Sequence, residues 1–489
     1  MSINLIIHDE VNCQFEGLDP SDLQTCIEAL KLPVKGAYTT AAYRAGVWDG
    51  KESLMDEMGV TYNYLIDKVA DVLELQCGVD VDTISIDDRR KEIDFSDIKP
   101  IGKDYLKDYL GYDLRDYQVD ITNASFTEMK GIAHAATSSG KSAIILAISR
   151  LLDPYLKSLI IVPSATLAKQ TYADYQKTDL AESTVMLSSV KPPEREDTIR
   201  NHRHIILTTK LFQNHAELFD EDYALIYDEA HILGDVTMDN LRYELGHCPV
   251  RFGFTGSLPT DKLKLEKLKC LMGGDVIERV SSNFLVENDY ASSFTVHVVT
   301  TSDKSFESEL DEISNDPNIE GSQVYTIEDK YLLTNQKRIA AIADYLKSLD
   351  LSENTLILCK PQLGKELALH FDVPFIDKDS KTDIRDDVFA QFDEHESDVL
   401  VIASFGTSST GISKNQIYRL VKIDVGKDET TILQSIGRGM RLDGERNEFE
   451  VIDISANTKY STRHRKERLK VYDRESYPYK LDKNFIMVD

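Results

Sequence analysis

GIAHAATSSGKSAIILAISRLL, residues 131–152, is an apolar run, a loop of small residues and a second apolar run at helical spacing. A strand, a tight loop and a helix in that order leave backbone N–H groups at the helix start without partners inside the helix, and those donors suit phosphate oxygens. In this loop Thr137, Ser138, Ser139 and Gly140 supply backbone, Lys141 a positive charge for the outer phosphates, and Ser142 a hydroxyl for Mg²⁺. The general phosphate-loop pattern begins with glycine where this chain has Ala135, so the loop decides the fold only together with a companion.

The companion lies downstream. After the apolar run YALIY comes Asp228-Glu229-Ala230-His231, an acid pair at the carboxyl end of a buried strand, where open α/β sheets bind ligands. Asp228 can hold the magnesium shell and Glu229 can orient or deprotonate an attacking water. Upstream, LRDYQ offers Arg115, Tyr117 and Gln118, and a glutamine can pair with an adenine edge through both donor and acceptor. Farther on, QSIGRGMR places Gln434, Arg438 and Arg441 together. The two arginines stand three apart on one helical face, and guanidinium forks suit a γ-phosphoryl group.

Around these motifs the chain alternates strand-like and helix-like runs. GIAHAAT, SLIIVPS, HIILTT, YALIYDE and RFGFTGS form one series, and TLILCK, VPFID, DVLVIAS, RLVKIDV and EVIDI a second. Strands separated by helical spacing imply parallel sheets with helices on both faces. The expected class is α/β, with two tandem RecA-like parallel-sheet domains preceded by a small α+β domain. The expected spans are residues 1–95, 96–288 and 289–489, the first ending in the charged stretch DDRRKEIDFSDIKP. In the first span, Asp49-Gly50 reads as a hairpin turn and Trp48, the one tryptophan, as a core residue.

Composition sets the remaining bounds. The six cysteines fall at no zinc-ligand spacing and read as reduced core residues. No run approaches the roughly 20 apolar residues needed to span a bilayer, which points to the cytoplasm and to no membrane partner. A formal charge of −28, from 84 acidic against 56 basic residues, excludes a protein that coats nucleic acid, though not one that holds it in a local positive groove.

In this order, AATSSGKS, IIVPSATLAKQ, DEAH, TGS, ASFGTSSTGIS and QSIGRGMR resemble motifs I, Ia, II, III, V and VI of superfamily 2 helicases, and LRDYQ resembles their Q motif. The N-terminal YRAGVWDGKESLMD, the TGS and the TSSTGIS are similar to UvsW-type recombination and repair helicases of phages. That resemblance implies ATP and Mg²⁺ as cofactors and branched or single-stranded/double-stranded junction DNA as partner, with residues 1–95 as the duplex or junction contact and movement 3′ to 5′. It implies that Thr255 and Ser257 couple hydrolysis to movement, and that Gly411 lies between nucleotide and strand. It further implies that Pro163, Ser164, Thr166, Thr208, Thr209, Lys210, Lys360, Thr407 and Ser408 hold the DNA backbone.

Other motors of the class act on duplex DNA or on RNA, and a nucleotide-switched binding module that does not hydrolyse would share the phosphate loop. A basic cluster, STRHRKERLKVYDR, ends the chain's motor-like portion and reads either as a duplex-phosphate contact or as a solvated helix face.

Overall fold

The computed structural model describes residues 3–349, 351–394, 398–408, 417–427, 429–437 and 448–488. Tertiary contacts divide the chain into two units, one of residues 1–135 and 140–279, the other of residues 136–139 and 280–489.

The first unit is built on a seven-stranded sheet in the spatial order 276–280, 130–135, 250–255, 223–228, 157–162, 204–208, 184–186. From 130–135 to 184–186 every pairing is parallel. Its central strands carry buried apolar runs, Leu159 to Val162, Ile205 to Leu207 and Tyr223 to Tyr227, because helices cover both faces. The register is one in which Thr208 stands opposite Val162 and Asp228 opposite Phe254, so the strands end together and their following loops gather along one edge.

The N-terminal part of this unit carries its own four-stranded sheet, ordered 60–62, 12–16, 4–7, 85–88, with only the last pair parallel. Its core is continuous with that of the large sheet: Leu5, Cys13, Phe15, Leu54 and Val69 belong to the same apolar cluster as Leu225, Leu241 and Met272. Polar contacts reinforce the junction. Arg242 donates from Nε to Asn12 Oδ1 at 2.8 Å and lies 4.1 Å over the Tyr62 ring, while Lys130 pairs with Glu10.

Two details differ from the sequence reading. Trp48 is only half-buried and donates to the Lys51 carbonyl at 2.7 Å, while Leu5, Cys13, Phe15 and their neighbours fill the core instead. Gly50 does turn the chain with φ 76°, but the residues before it, Ala41–Arg44, are helical, and the strand after it, Lys51–Ser53, pairs with Lys31–Pro33.

The second unit is also a seven-stranded sheet, ordered 375–376, 400–404, 355–359, 419–423, 448–456, 293–302, 479–487 and parallel throughout. The fold is thus α/β with two tandem RecA-like sheets and a small N-terminal α+β part. All six cysteines are free, five of them buried. Among the described residues no helix is long and apolar enough to cross a membrane.

Candidate active site

Strand order brings the motifs together. The strand Val250–Thr255 lies between Lys130–Ala135 and Tyr223–Asp228, so the loop bearing Thr255 and Ser257 runs between the phosphate loop and the acid pair. In the phosphate loop Ser138 and Gly140 adopt left-handed backbone, φ 69° and 74°, before the helix Lys141–Leu152 begins. Alternation into that region turns successive N–H groups toward one side, the geometry of an anion nest. The helix behind it is anchored by Ile144, Leu146, Ala147 and Ile148, all fully buried.

Lys141 donates to the Ala135 carbonyl at 3.2 Å, and its Nζ is 3.5 Å from Glu229 Oε1. Glu229 follows the strand in left-handed backbone, φ 54° and ψ 47°, and its N–H donates to Asp228 Oδ1 at 2.9 Å. Burial pushes the Asp228 carboxyl up to about 7, and the adjacent Glu229 charge adds to that shift. Burial works on Glu229 in the same direction, but the charges of Lys141 and His231 overcome it and hold this carboxyl below the usual range. Of the two neighbours, Glu229 is therefore the one that keeps its charge.

The network continues beyond the acid pair. His231 Nδ1 is 3.4 Å from Glu229 Oε2 and 2.8 Å from Thr255 Oγ, while the Thr255 hydroxyl donates to the Ser257 carbonyl at 2.6 Å. With its proton committed there, Thr255 accepts from the ring, which places the histidine proton on Nδ1. The DEAH box contains His231 but its residue type alone gives it no role; its place three residues after Asp228 is the one signal the sequence holds.

Tyr117 and Gln118 are buried at the start of the helix Asp116–Glu128. Gln118 Oε1 accepts the Arg115 N–H at 2.9 Å, and Arg115 Nη1 donates to the Tyr117 hydroxyl at 3.0 Å. The Gln118 amide nitrogen also lies so near Gly140 that a Cβ there would collide with it. The glutamine thus braces the phosphate loop and caps its own helix, demands that compete with reading a base.

Ser142 and Asp228 are hard oxygen donors and suit Mg²⁺ completed by phosphate oxygens and water. Among the described residues no cluster of three or more His, Cys, Asp or Glu could form an all-protein metal cage.

The backbone-contact candidates of the first unit lie on the same edge. Ser164 Oγ caps the helix Ala165–Tyr175 and Thr208 Oγ the helix Thr209–His215, each accepting an N–H at 3.3 Å. Thr209 Oγ is 2.8 Å from the Tyr227 hydroxyl, Pro163 and Thr166 are half-buried, and Lys210 is exposed. In the second unit Lys360 precedes the helix Pro361–Phe371 and is paired with Asp329. Thr407 and Ser408 end the short helix Phe405–Ser408, and Gln434 lies in the helix Glu429–Gly437. The side chains of these three, and the whole of Gly411, Arg438 and Arg441, lie outside the described residues.

Residues 111–260 match the family described as Type III restriction enzyme, res subunit. Over 98% of this chain and 99% of the relative, the sequence is 24% identical to the ATP-dependent DNA helicase uvsW of Enterobacteria phage T4. The crystal structure of T4 UvsW covers 99% of this chain and is itself covered entirely, at 18% identity and a TM-score of 0.46. The DNA-bound Type ISP restriction-modification enzyme LlaBIII covers 83% of this chain over 32% of its own length, at 14% identity and a TM-score of 0.53. The full-length sequence likeness, with the motifs in order, supports the class of superfamily 2 ATP-dependent helicases.

Proposed function

We propose that this chain is an ATP-dependent DNA helicase that unwinds, reanneals and branch-migrates forked and junction DNA in phage recombination, replication restart and repair. The observation that carries the reading is the likeness to the T4 helicase across the whole chain, which includes the N-terminal part where motor chemistry imposes no constraint. The T4 relative is an ATP-dependent DNA helicase, and DNA is accordingly the track proposed here.

In the mechanism, entering phosphates compete with Glu229 for the Lys141 ammonium, now 3.5 Å from that carboxylate. Glu229, released from the lysine yet still beside His231, then orients and deprotonates the attacking water. Ser142 and Asp228 would hold Mg²⁺, which would supply neutralisation of phosphate charge and polarisation of the γ-phosphoryl group. Arg438 and Arg441 are assigned the charge that develops in the transition state. Release of the γ-phosphate returns Lys141 to Glu229, and the His231 to Thr255 hydrogen bond passes the change to the Thr255–Ser257 loop. Short hydroxyl and backbone donors such as Ser164, Thr208 and Thr209 touch phosphates without reading bases, so a strand of any sequence can pass. Movement 3′ to 5′ is part of the proposal.

The test is steady-state ATP hydrolysis without nucleic acid, with single-stranded DNA, with a four-way junction and with RNA, beside Lys141→Ala. Stimulation greatest with the junction and lost in the variant is expected. Stimulation by RNA alone overturns the substrate, and no stimulation by any of them overturns the motor.

A further inference from the structure

The helix Lys459–Arg474 carries two sets of basic residues with opposite fates. The inward set is structural. Arg468, 1% exposed, grips both Asp453 carboxylate oxygens from Nε and Nη2 at 2.8 and 3.0 Å, and Arg465 donates to Thr300 Oγ at 2.7 Å. The outward set is Lys459, Arg463, Lys466, Lys470 and Arg474, one residue per helical turn on a single face, and all five are exposed. Lys470 pairs with Glu467 and Arg474 with Glu475, whereas Lys459, Arg463 and Lys466 make no direct ion pair among the described residues, Arg463 acting on Glu467 only at longer range.

A helix arranged for its own stability would look different. Lys459 stands in the first turn, where the helix dipole disfavours cations, and like charges four apart repel. The helix N-terminus is already satisfied, because Glu328 accepts from the N–H groups of Tyr460 and Ser461 at 2.8 and 2.7 Å. The row therefore concentrates positive charge at a local cost, within a chain of formal charge −28. At its N-terminal end it adjoins a small cavity of mixed charge, where Lys360 is paired with Asp329 and Glu328 and Asp424 face Tyr460 and His464. Burial and the surrounding Arg468, Lys427, Lys360 and Arg463 hold His464 below the usual histidine range.

We infer that the outward face of this helix binds the sugar-phosphate backbone of duplex DNA through Lys459, Arg463 and Lys466. The three residues span about 10 Å along one helix at 1.5 Å per residue, a fixed array that suits the regular phosphates of a rigid duplex better than a flexible single strand. Lysine and arginine at the tips of mobile side chains contact phosphates without reading sequence. The inference rests on the DNA-helicase reading and adds a contact outside the helicase motifs.

The experiment compares the full chain with the triple variant Lys459→Gln, Arg463→Gln, Lys466→Gln, with thermal midpoints confirming that both are folded. Binding to a blunt duplex and to a single strand of equal length is measured between about 50 and 200 mM salt. For the duplex, the slope of log K against log salt is expected to become shallower by about 2 to 3, with affinity down at least about tenfold at low salt, whatever the sequence. The single strand should change less. An unchanged duplex slope in a folded variant overturns the inference alone, and an equal change on the single strand overturns the assignment to duplex. A wild-type chain that binds no DNA overturns the helicase reading and this inference with it.

Discussion

His231 Nδ1 donates to Thr255 Oγ at 2.8 Å, joining the turn after the strand that ends in Asp228 to the loop that leaves the neighbouring strand. Glu229, 3.4 Å from the same ring nitrogen, and Lys141, 3.5 Å from Glu229, extend this into one line from the phosphate loop to Ser257. The line has a charged end at the phosphate loop and a neutral end in a buried loop.

Thr255→Val removes the acceptor for His231 while keeping side-chain volume. The nucleotide end of the line stays intact, so the KM for ATP should stay within about threefold, whereas strand separation per ATP hydrolysed should drop about tenfold or more. Parallel measurement of hydrolysis and unwinding on a forked substrate checks this, and equal losses in both would deny Thr255 a coupling role.

Glu229→Gln and Lys141→Ala should fail in different ways. The glutamine keeps hydrogen-bonding shape and loses the base, so turnover should fall by about 10² to 10⁴ with ATP still bound. The alanine loses the charge that meets the phosphates, so ATP binding itself should weaken. Equilibrium titration with a fluorescent ATP analogue beside single-turnover hydrolysis separates the two, and wild-type turnover in Glu229→Gln would remove that residue from the chemistry.

Gln118 has a structural contact that needs no nucleotide. Its Oε1 satisfies the Arg115 N–H at the start of a helix, so Gln118→Ala should cost about 1 kcal/mol of stability with no nucleotide present, as the loss of a capping contact does. A thermal or urea midpoint without ATP reads this term, and ATP against GTP turnover reads any base preference. An unchanged midpoint would leave adenine reading as the side chain's whole contribution.

Much of the fold was legible because both sheets are buried on both faces and their strands read as unbroken apolar runs, such as LIIV and YALIY. The strand Ser293–Ser302 is hidden in the sequence because SFTVHVVTTS mixes polar and apolar residues, and the edge strand Tyr479–Met487 because seven of its nine residues are exposed. In the candidate site the ends of the strands, and hence Lys141, Asp228 and Glu229, followed from motif order. The His231 to Thr255 bond did not, since it depends on which strands are neighbours. In the terminal basic cluster, alternate burial on one helix separates structural Arg465 and Arg468 from exposed Lys459, Arg463 and Lys466, a division that composition hides.

Deletion of residues 1–95 is a poor way to isolate the N-terminal part. Its core is continuous with that of the first large sheet, and Arg242 and Lys130 would lose Asn12, Tyr62 and Glu10. The truncated chain should expose apolar surface and aggregate, and its ATP hydrolysis should fall with the folded fraction. Light scattering with urea unfolding tests this, and a monodisperse truncation with full hydrolysis would show the shared core to be dispensable.

Lys422 gives the second unit a pH dependence of definite sign. Fully buried, it donates to the Tyr472 hydroxyl at 2.8 Å, and Asp453 is already gripped by Arg468 and by the same tyrosine. Burial lowers this ammonium from 10.5 to about 8, against the attraction of Asp453 and with the repulsion of Arg468. Below about 8 the lysine is protonated in both folded and unfolded chains, and its contribution does not vary. Between about 8 and 10.5 the unfolded chain holds more protons than the folded one, so stability rises with pH on this account. Lys422→Met keeps the volume and removes the titration; near neutral pH it should be as stable as the wild type or more so, because Asp453 retains its partners. On passing to pH 10 the wild type should gain on the variant by up to about 3 kcal/mol, the equivalent of the shift. Urea unfolding of both proteins through this range, read on the second unit, shows the difference directly, and parallel curves would mean that Lys422 keeps its ordinary affinity for protons inside the sheet.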